Sequence, residues 1–206
     1  MANFYTRRVL PKMIDKICAL KPTRKQREKV IPLATGDVLE IGIGSGLNLP
    51  FYDPDLVRRV VGIDPVPEMW ALNTVPLKTL PFTVEYVKAS ASAIPADAGS
   101  FDSVVVTYTL CSIKNLTRSF AEIRRVMKPG AQFIFTEHGL SPDRQVRRWQ
   151  NGVNPLWKQL TGGCNLNRDI PALLTDHGFR LNQLDTMYIP GWKPACYNFW
   201  GTAIAD

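Results

Sequence analysis

The sequence predicts an α/β fold, a mostly parallel seven-stranded sheet flanked by helices, with a small helical insertion before the last two strands. Short apolar runs alternate with amphipathic stretches from residue 37 onward, which is typical of parallel strands joined by crossover helices. The run 101–110 is almost continuously apolar, as expected of a strand buried on both faces. With 206 residues, 45% of them hydrophobic, the chain can form one domain, 1–206, around one core.

The amino-terminal segment, residues 1–32, predicts two helices ahead of the sheet. Apolar side chains recur at helical spacing between Leu10 and Cys18, and Thr23 can cap a second, strongly charged helix. Because the first strand begins only at residue 37, we interpret this segment as a lid over the domain and not as its folding nucleus.

Strands and helices then follow in a regular order. The predicted strands are 37–41, 60–63, 82–87, 101–110, 131–138, 179–188 and 196–205, with helices at 116–127 and 169–178. The segment 141–168 differs from a crossover helix because it is rich in aromatic and turn residues. It is interpreted as a helical insertion over a small apolar pocket, with Trp149 and Trp157 either lining that pocket or packing in the core.

Composition excludes several classes of protein. No stretch approaches the roughly 20 apolar residues of a membrane helix, and no signal-peptide core is seen, so we expect a cytoplasmic protein. The formal net charge of +7 comes from short basic bursts, which disfavours a dedicated nucleic-acid-binding arm. The four cysteines are widely spaced and form no CxxC pair, so neither a metal site nor a disulfide framework is expected; they are Cys18, Cys111, Cys164 and Cys196.

The segment VLEIGIGSG carries the strongest chemical signal. It places Gly42, Gly44 and Gly46 directly after a strand, where glycine permits the close approach of a ligand. A dinucleotide fingerprint would require glycine or alanine where Leu47 stands, so pyrophosphate binding is disfavoured. Asp64 ends the second strand at the same edge of the sheet and is placed to accept hydrogen bonds from ribose hydroxyls.

Several segments resemble, in the same order, those of the class I S-adenosylmethionine (SAM)-dependent methyltransferases of the methyltransferase type 11 kind. They are VLEIGIGSGLNLPFY, VVGIDP, SASAIP, FDSVVVTYTLCSIKN and EIRRVMKPGAQFIFTEHG, and the resemblance covers nearly the whole chain. More narrowly, LCSIKN, TEHG and NPLWKQLTGGCNLNRD resemble the branch that includes the methyltransferase-like thiol S-methyltransferases. The resemblance implies a Rossmann-like sheet, SAM as the cofactor, S-adenosyl-L-homocysteine as its product, and a small-molecule methyl acceptor.

The resemblance also assigns residues to parts of the cofactor. The glycines and Asn48 would lie along its methionine, Glu40 would serve its ammonium group, and SASAIP would meet the adenine, where relatives often carry an acid. The lid would bring Tyr5 to the cofactor, or Tyr5 would pack the helix onto the domain. The expected cofactor-binding residues are Tyr5, Glu40, Gly42, Gly44, Gly46, Asn48, Asp64, Pro65, Ser90, Ala91, Ser92, Thr107 and Leu110.

The acceptor side offers fewer signals. His138, at the end of the fifth predicted strand, is the candidate catalytic base or acceptor-orienting residue, and a structural histidine is an equal alternative. Cys111, Trp149, Trp157 and Asn165 are expected to contact the substrate.

The leading hypothesis for function is methyl transfer to a thiol or sulfide, because a dry apolar pocket favours attack of a thiolate on a sulfonium. One alternative is an amine or hydroxyl of a lipid headgroup or metabolite, with the basic amino-terminal helix in peripheral contact with a membrane. Another is a SAM-binding regulatory protein without turnover. Neither nucleic acid nor a metal ion is expected as a partner.

Overall fold

The computed structural model describes residues 4–206, and its centre is one seven-stranded sheet. The strands are β1 (Gly36–Ile41), β2 (Val57–Ile63), β3 (Thr83–Val87), β4 (Phe101–Thr107), β5 (Met127–His138), β6 (Phe179–Tyr188) and β7 (Tyr197–Ala205). Their order across the sheet is β3-β2-β1-β4-β5-β7-β6. Strands β1 to β5 pair in parallel, whereas β7 runs antiparallel to both β5 and β6. The predicted mostly parallel α/β fold is therefore confirmed.

Helices flank this sheet. Those of the described residues are α1 (Leu10–Cys18), α2 (Lys21–Val30), α3 (Pro67–Trp70), α4 (Leu116–Val126), α5 (Arg144–Leu160) and α6 (Ile170–Thr175). A π-helical turn, Tyr5–Val9, runs directly into α1. Helix α5 occupies most of the segment predicted as an insertion. Among the helices of residues 4–206, none combines the length and the apolar character needed to span a membrane.

Helix α4 shows how local sequence sets the ends of an element. Asn115 precedes the helix, and its side-chain oxygen accepts a hydrogen bond of 3.1 Å from the backbone N–H of Arg118. The helix ends at Val126, one residue earlier than predicted, and Met127 already belongs to β5. Met127 is already extended, with φ −72° and ψ +136°, and Pro129 disfavours the helical conformation in Lys128, the residue before it, so the helix does not resume.

The sheet buries a hydrophobic cluster on each face. On one face, the ring of Phe120 from α4 lies 6.3 Å from that of Phe133 and 5.6 Å from that of Phe179. On the other face, Val30 and Ile31 are almost fully buried, and α2 contacts β5 and β7. The end of α2 is thus part of the core.

Candidate active site

A cavity of about 690 Å³ opens at the carboxyl edge of the parallel strands, between the sheet and α1. Open α/β sheets bind their ligands at this edge, and the volume is in the usual range for small-molecule sites. Ten residues that were predicted to bind the cofactor line it: Glu40, Gly42, Gly44, Asn48, Asp64, Pro65, Ser90, Ala91, Ser92 and Thr107.

The glycine loop after β1 depends on glycine for its conformation. Gly42 has a φ of +72° and Gly46 a φ of +80°, in the left-handed region that other residues avoid. A Cβ atom on Gly42 would collide with the side chain of Thr109, and one on Gly46 would collide with Asn73. Gly46 packs behind the cavity, whereas Gly42 lines it. Both positions therefore require glycine, although only Gly42 is placed to contact a ligand.

Asp64 follows β2 and joins it to the glycine loop. Its Oδ1 accepts a hydrogen bond of 2.8 Å from the backbone N–H of Val66, and its Oδ2 accepts one of 3.2 Å from Gly44. Burial raises the pKa of Asp64, although both backbone hydrogen bonds act to lower it. The carboxylate lines the cavity and retains lone pairs for hydroxyl donors of a ligand.

Glu40, near the end of β1, is a buried carboxyl group that lines the cavity. Its Oε1 accepts a hydrogen bond of 2.9 Å from the Asn48 side chain, and its Oε2 accepts one of 2.7 Å from the Tyr52 hydroxyl. Burial raises the pKa of Glu40 to about 7, against the effect of these two hydrogen bonds. A cationic group of a ligand would stabilise the charged form of this carboxyl.

Two charged residues of the amino-terminal helices also line the cavity, and the sequence analysis did not identify them. Asp15 of α1 accepts a hydrogen bond of 2.5 Å from the Ser45 hydroxyl, which ties α1 to the glycine loop. Arg27 of α2 is buried, donates from Nη1 to the carbonyl of Cys18 at 2.6 Å, and has no partner for Nε among the described residues. No local pattern distinguishes these residues from the other charges of their helices.

Tyr5 is not among the residues of 4–206 that line the cavity. Its hydroxyl donates a hydrogen bond of 2.6 Å to the carbonyl of Leu160, the last residue of α5. Thr6 and Leu10 line the cavity instead. Tyr5 therefore joins the amino-terminal turn to the end of the insertion helix.

The cavity extends from the residues predicted to bind the cofactor toward the loop after β4 and the end of α5. Its lining there is formed by Tyr108, Thr109, Ser112, Ile113, Thr161 and Gly162. The buried Glu137 holds this loop in place, since its Oε1 accepts backbone hydrogen bonds from Thr109 at 2.6 Å and Leu110 at 2.8 Å. Burial raises the pKa of Glu137 to about 7. Leu110, which was predicted to bind the cofactor, is buried behind the lining. Glu137 was not predicted, although an acidic residue within the apolar run FIFTEH is a signal in the sequence that could have identified it.

The predicted substrate residues lie outside the lining that the described residues form. Trp149 is 66% exposed on α5, so it does not pack in the core, and it is not among the residues that line this cavity. Trp157 packs against Trp192, with ring centroids 5.3 Å apart. The Asn165 side chain donates a hydrogen bond of 2.8 Å to the carbonyl of Cys111 and thereby joins two loops.

His138 contacts cysteines and not the cavity. Its Nε2 lies 3.2 Å from Cys164 Sγ, and Cys111 completes a group whose donor atoms all lie within 4.8 Å of one another. A hydrogen bond with Cys111 and the adjacent imidazole of His138 lower the pKa of Cys164 well below its usual range. The wide spacing of the cysteines predicted no metal site, yet the fold brings these three potential ligands together.

Comparisons with known proteins agree with this architecture. A family model described as a methyltransferase domain matches residues 39–135. Thiol S-methyltransferase TMT1A of Homo sapiens is 34% identical over 172 residues, which cover 81% of this chain and 70% of that protein. Thiol S-methyltransferase TMT1B of Homo sapiens is 30% identical over 201 residues, which cover 94% of this chain and 82% of that protein. The solved structure of a SAM-dependent methyltransferase from Methanosarcina mazei shares the fold, with a TM-score of 0.63 at 22% identity, over 81% of this chain and 91% of that one.

The cavity fits SAM, which carries ribose hydroxyls and an ammonium group. Asp64 offers a carboxylate to the hydroxyls, and Glu40 is a buried carboxyl that a cation would charge. A Cβ atom on Gly44 would meet only Met69 Cε, at 3.5 Å, and the backbone of Gly42, so glycine leaves room there for a ligand. On the similarity of its sequence, its fold and this cavity, the chain belongs to the class I SAM-dependent methyltransferases and is an enzyme with SAM as its cofactor.

Proposed function

We propose that the enzyme transfers the methyl group of SAM to the thiol of a small-molecule acceptor. The observation that carries this proposal is the identity of 34% and 30% to two proteins named as thiol S-methyltransferases, over most of the chain. The cavity supports it, because no histidine of residues 4–206 is among its lining residues. A thiol is the acceptor that depends least on such a base, since it ionises in part at neutral pH.

The charges around the cavity are complementary to those of SAM. Asp64 would accept hydrogen bonds from the ribose hydroxyls, and Glu40 would face the ammonium group. The buried Nε of Arg27, without a partner among the described residues, suits the carboxylate of the methionine part. When bound, SAM supplies an electrophilic methyl group on a sulfonium.

The protein's contribution to the transfer is alignment and the exclusion of water. The charges of a thiolate and a sulfonium neutralise each other toward the transition state, so water-poor, apolar surroundings favour the reaction. Leu10 and Ile14 of α1 and Ile113 opposite them provide apolar walls. His138 is not among the lining residues and has Nε2 3.2 Å from Cys164 Sγ, which supports a transfer without a histidine base.

Methylation of an amine or hydroxyl on a lipid headgroup is the second candidate function. It is favoured by Arg8 and Lys12, which are exposed next to the exposed apolar side chains of Phe4 and Val9. Such a combination suits peripheral contact with an anionic membrane surface.

For a thiol acceptor we propose the cytoplasm as the compartment, because the four cysteines are free thiols, which suits a reducing environment.

A panel of acceptors separates the two functions. The enzyme and SAM are incubated with small thiols, amines and phenols, and both S-adenosyl-L-homocysteine and the methylated product are measured by mass spectrometry. We expect methylated thiols, formed far more slowly by Asp64→Ala and at the wild-type rate by Asp185→Ala, which changes an exposed acid of β6. Products formed only from amines or phenols would contradict the proposal and support the second candidate.

A further inference from the structure

Three side chains that commonly bind metal ions meet beside β4 and β5. Cys111 follows β4, His138 is the last residue of β5, and Cys164 lies in the loop after α5. Their donor atoms, two Sγ atoms and one imidazole nitrogen, all lie within 4.8 Å of one another, and His138 Nε2 is 3.2 Å from Cys164 Sγ. Cys111 and His138 are buried and Cys164 is half-buried, so the group is largely shielded from solvent.

These separations are close to those of a tetrahedral zinc site. Zinc binds a thiolate at about 2.3 Å and an imidazole at about 2.0–2.1 Å, which places neighbouring donor atoms about 3.5–3.8 Å apart. Small side-chain rotations would bring the three donors to these distances. Two thiolates also balance the charge of a divalent ion, and a neutral site is the form that buried surroundings tolerate.

The surroundings are suited to a metal ligand set. The Nε1–H of Trp157 donates to Cys164 Sγ at 3.4 Å, as outer-shell donors do at metal sites. The cavity lining formed by residues 4–206 includes none of the three ligands, so binding of SAM and an acceptor leaves them without a role.

We propose that Cys111, His138 and Cys164 bind one divalent metal ion of borderline-soft character, zinc above all. The fourth tetrahedral position is left to water or another exogenous donor, because the group supplies three ligands. The ion joins the loop after α5 to the ends of β4 and β5. Since Thr161 and Gly162 lie just before Cys164 and line the cavity, the ion stiffens the wall on the acceptor side. The inference does not depend on whether the acceptor is a thiol.

Cobalt provides a spectroscopic test of this site. The reduced full-length enzyme is freed of metal with a chelator and titrated with Co²⁺ in the absence of SAM and acceptor. We expect one equivalent to bind, with the intense d–d absorption of a tetrahedral ion and a thiolate-to-cobalt charge-transfer band. Addition of Zn²⁺ should abolish both signals by displacing the cobalt.

Variants test the identity of the ligands. Loss of an outer-shell partner weakens metal binding by about 10- to 100-fold. Removal of a ligand should weaken zinc binding by more than this in each of three variants, Cys111→Ser, Cys164→Ser and His138→Gln. Cys196→Ser is the matched control, because it changes a buried free cysteine outside the group and should bind zinc like the wild type. Circular dichroism establishes that each variant is folded, and binding of SAM by calorimetry provides a second check.

A folded wild-type enzyme without tetrahedral cobalt absorption would overturn the proposal, and so would an equal loss of binding in Cys196→Ser. Peptide mass spectrometry that finds a Cys111–Cys164 disulfide in enzyme unable to bind an ion would also overturn it, because the group would then be a redox pair. The titration uses no methyl acceptor, so its outcome is independent of the test of the proposed function.

Discussion

Replacement of Asp64 by alanine tests the cofactor-binding site most directly. Asp64 is 8% exposed, and its carboxylate accepts backbone hydrogen bonds of 2.8 Å from Val66 and 3.2 Å from Gly44. Its remaining lone pairs can serve two ribose hydroxyls, and a hydrogen bond to a charged group contributes about 1.5–3 kcal/mol. Two hydrogen bonds to one carboxylate do not contribute additively. We therefore expect Asp64→Ala to weaken SAM binding by about 2–4 kcal/mol, less than twice the single value, which corresponds to about 30- to 1,000-fold in Kd.

Part of this loss would come from the glycine loop, because Asp64 also holds the backbone of Gly44. Asp64→Asn separates the two contributions, since asparagine keeps the size and one acceptor oxygen and removes the charge; we expect a loss of affinity between those of the wild type and Asp64→Ala. Isothermal calorimetry with SAM and with S-adenosyl-L-homocysteine measures both variants, with Asp185→Ala as the control. An unchanged Kd in folded Asp64→Ala would refute the assignment.

Deletion of residues 1–20 should reduce turnover far more than it lowers the melting temperature, because α1 borders the cavity whereas α2 packs on the sheet; full activity of the truncated enzyme would contradict this. With thiol acceptors, kcat/KM should rise almost tenfold per pH unit below the acceptor's pKa, about 8.5 for a free thiol. Its midpoint should differ between two thiols of different pKa, and a shared midpoint would indicate a base on the enzyme. The pKa of Glu40 is raised from 4.5 to about 7, so between these pH values the folded state holds a proton that the unfolded chain releases. The contribution of this proton to the free energy of unfolding is complete below pH 4.5 and is lost as the pH rises through 7. In denaturant titrations at several pH values, Glu40→Gln should reduce this loss without abolishing it, since Glu137 has a similar shift; an unchanged pH dependence would show that Glu40 does not contribute.

Local patterns predicted the central strands because each strand signals itself over a few residues. The apolar run at 37–41 coincides with β1 except for one residue at its start. Strand β2 begins at Val57, earlier than predicted. The prediction missed its start because the exposed Arg58 and Arg59 interrupt the apolar pattern. The position of β7 between β5 and β6 leaves no mark in either strand, since it results from how the last two strands pair.

The cofactor side of the cavity was predictable for a related reason. The glycine loop and Asp64 follow neighbouring parallel strands, so chain direction alone brings them to one edge of the sheet. The same reasoning does not extend to Tyr5 and Trp149, which lie outside the cavity lining formed by residues 4–206. Each belongs to a segment outside the parallel strands, and the orientation of its side chain depends on helix packing that no local pattern records.

The sequence by itself determined the parallel sheet, the glycine loop, the acids at the ends of β1 and β2, and hence the cofactor. These features are encoded within short segments, and the polarity of parallel strands assembles them in only one way. Only the tertiary structure decided which residues complete the lining of the cavity and that Cys111, His138 and Cys164 meet. Consecutive members of this group are more than two dozen residues apart in the sequence. They approach one another because loops pack against strand ends, and the spacing of residues in the sequence does not predict that packing.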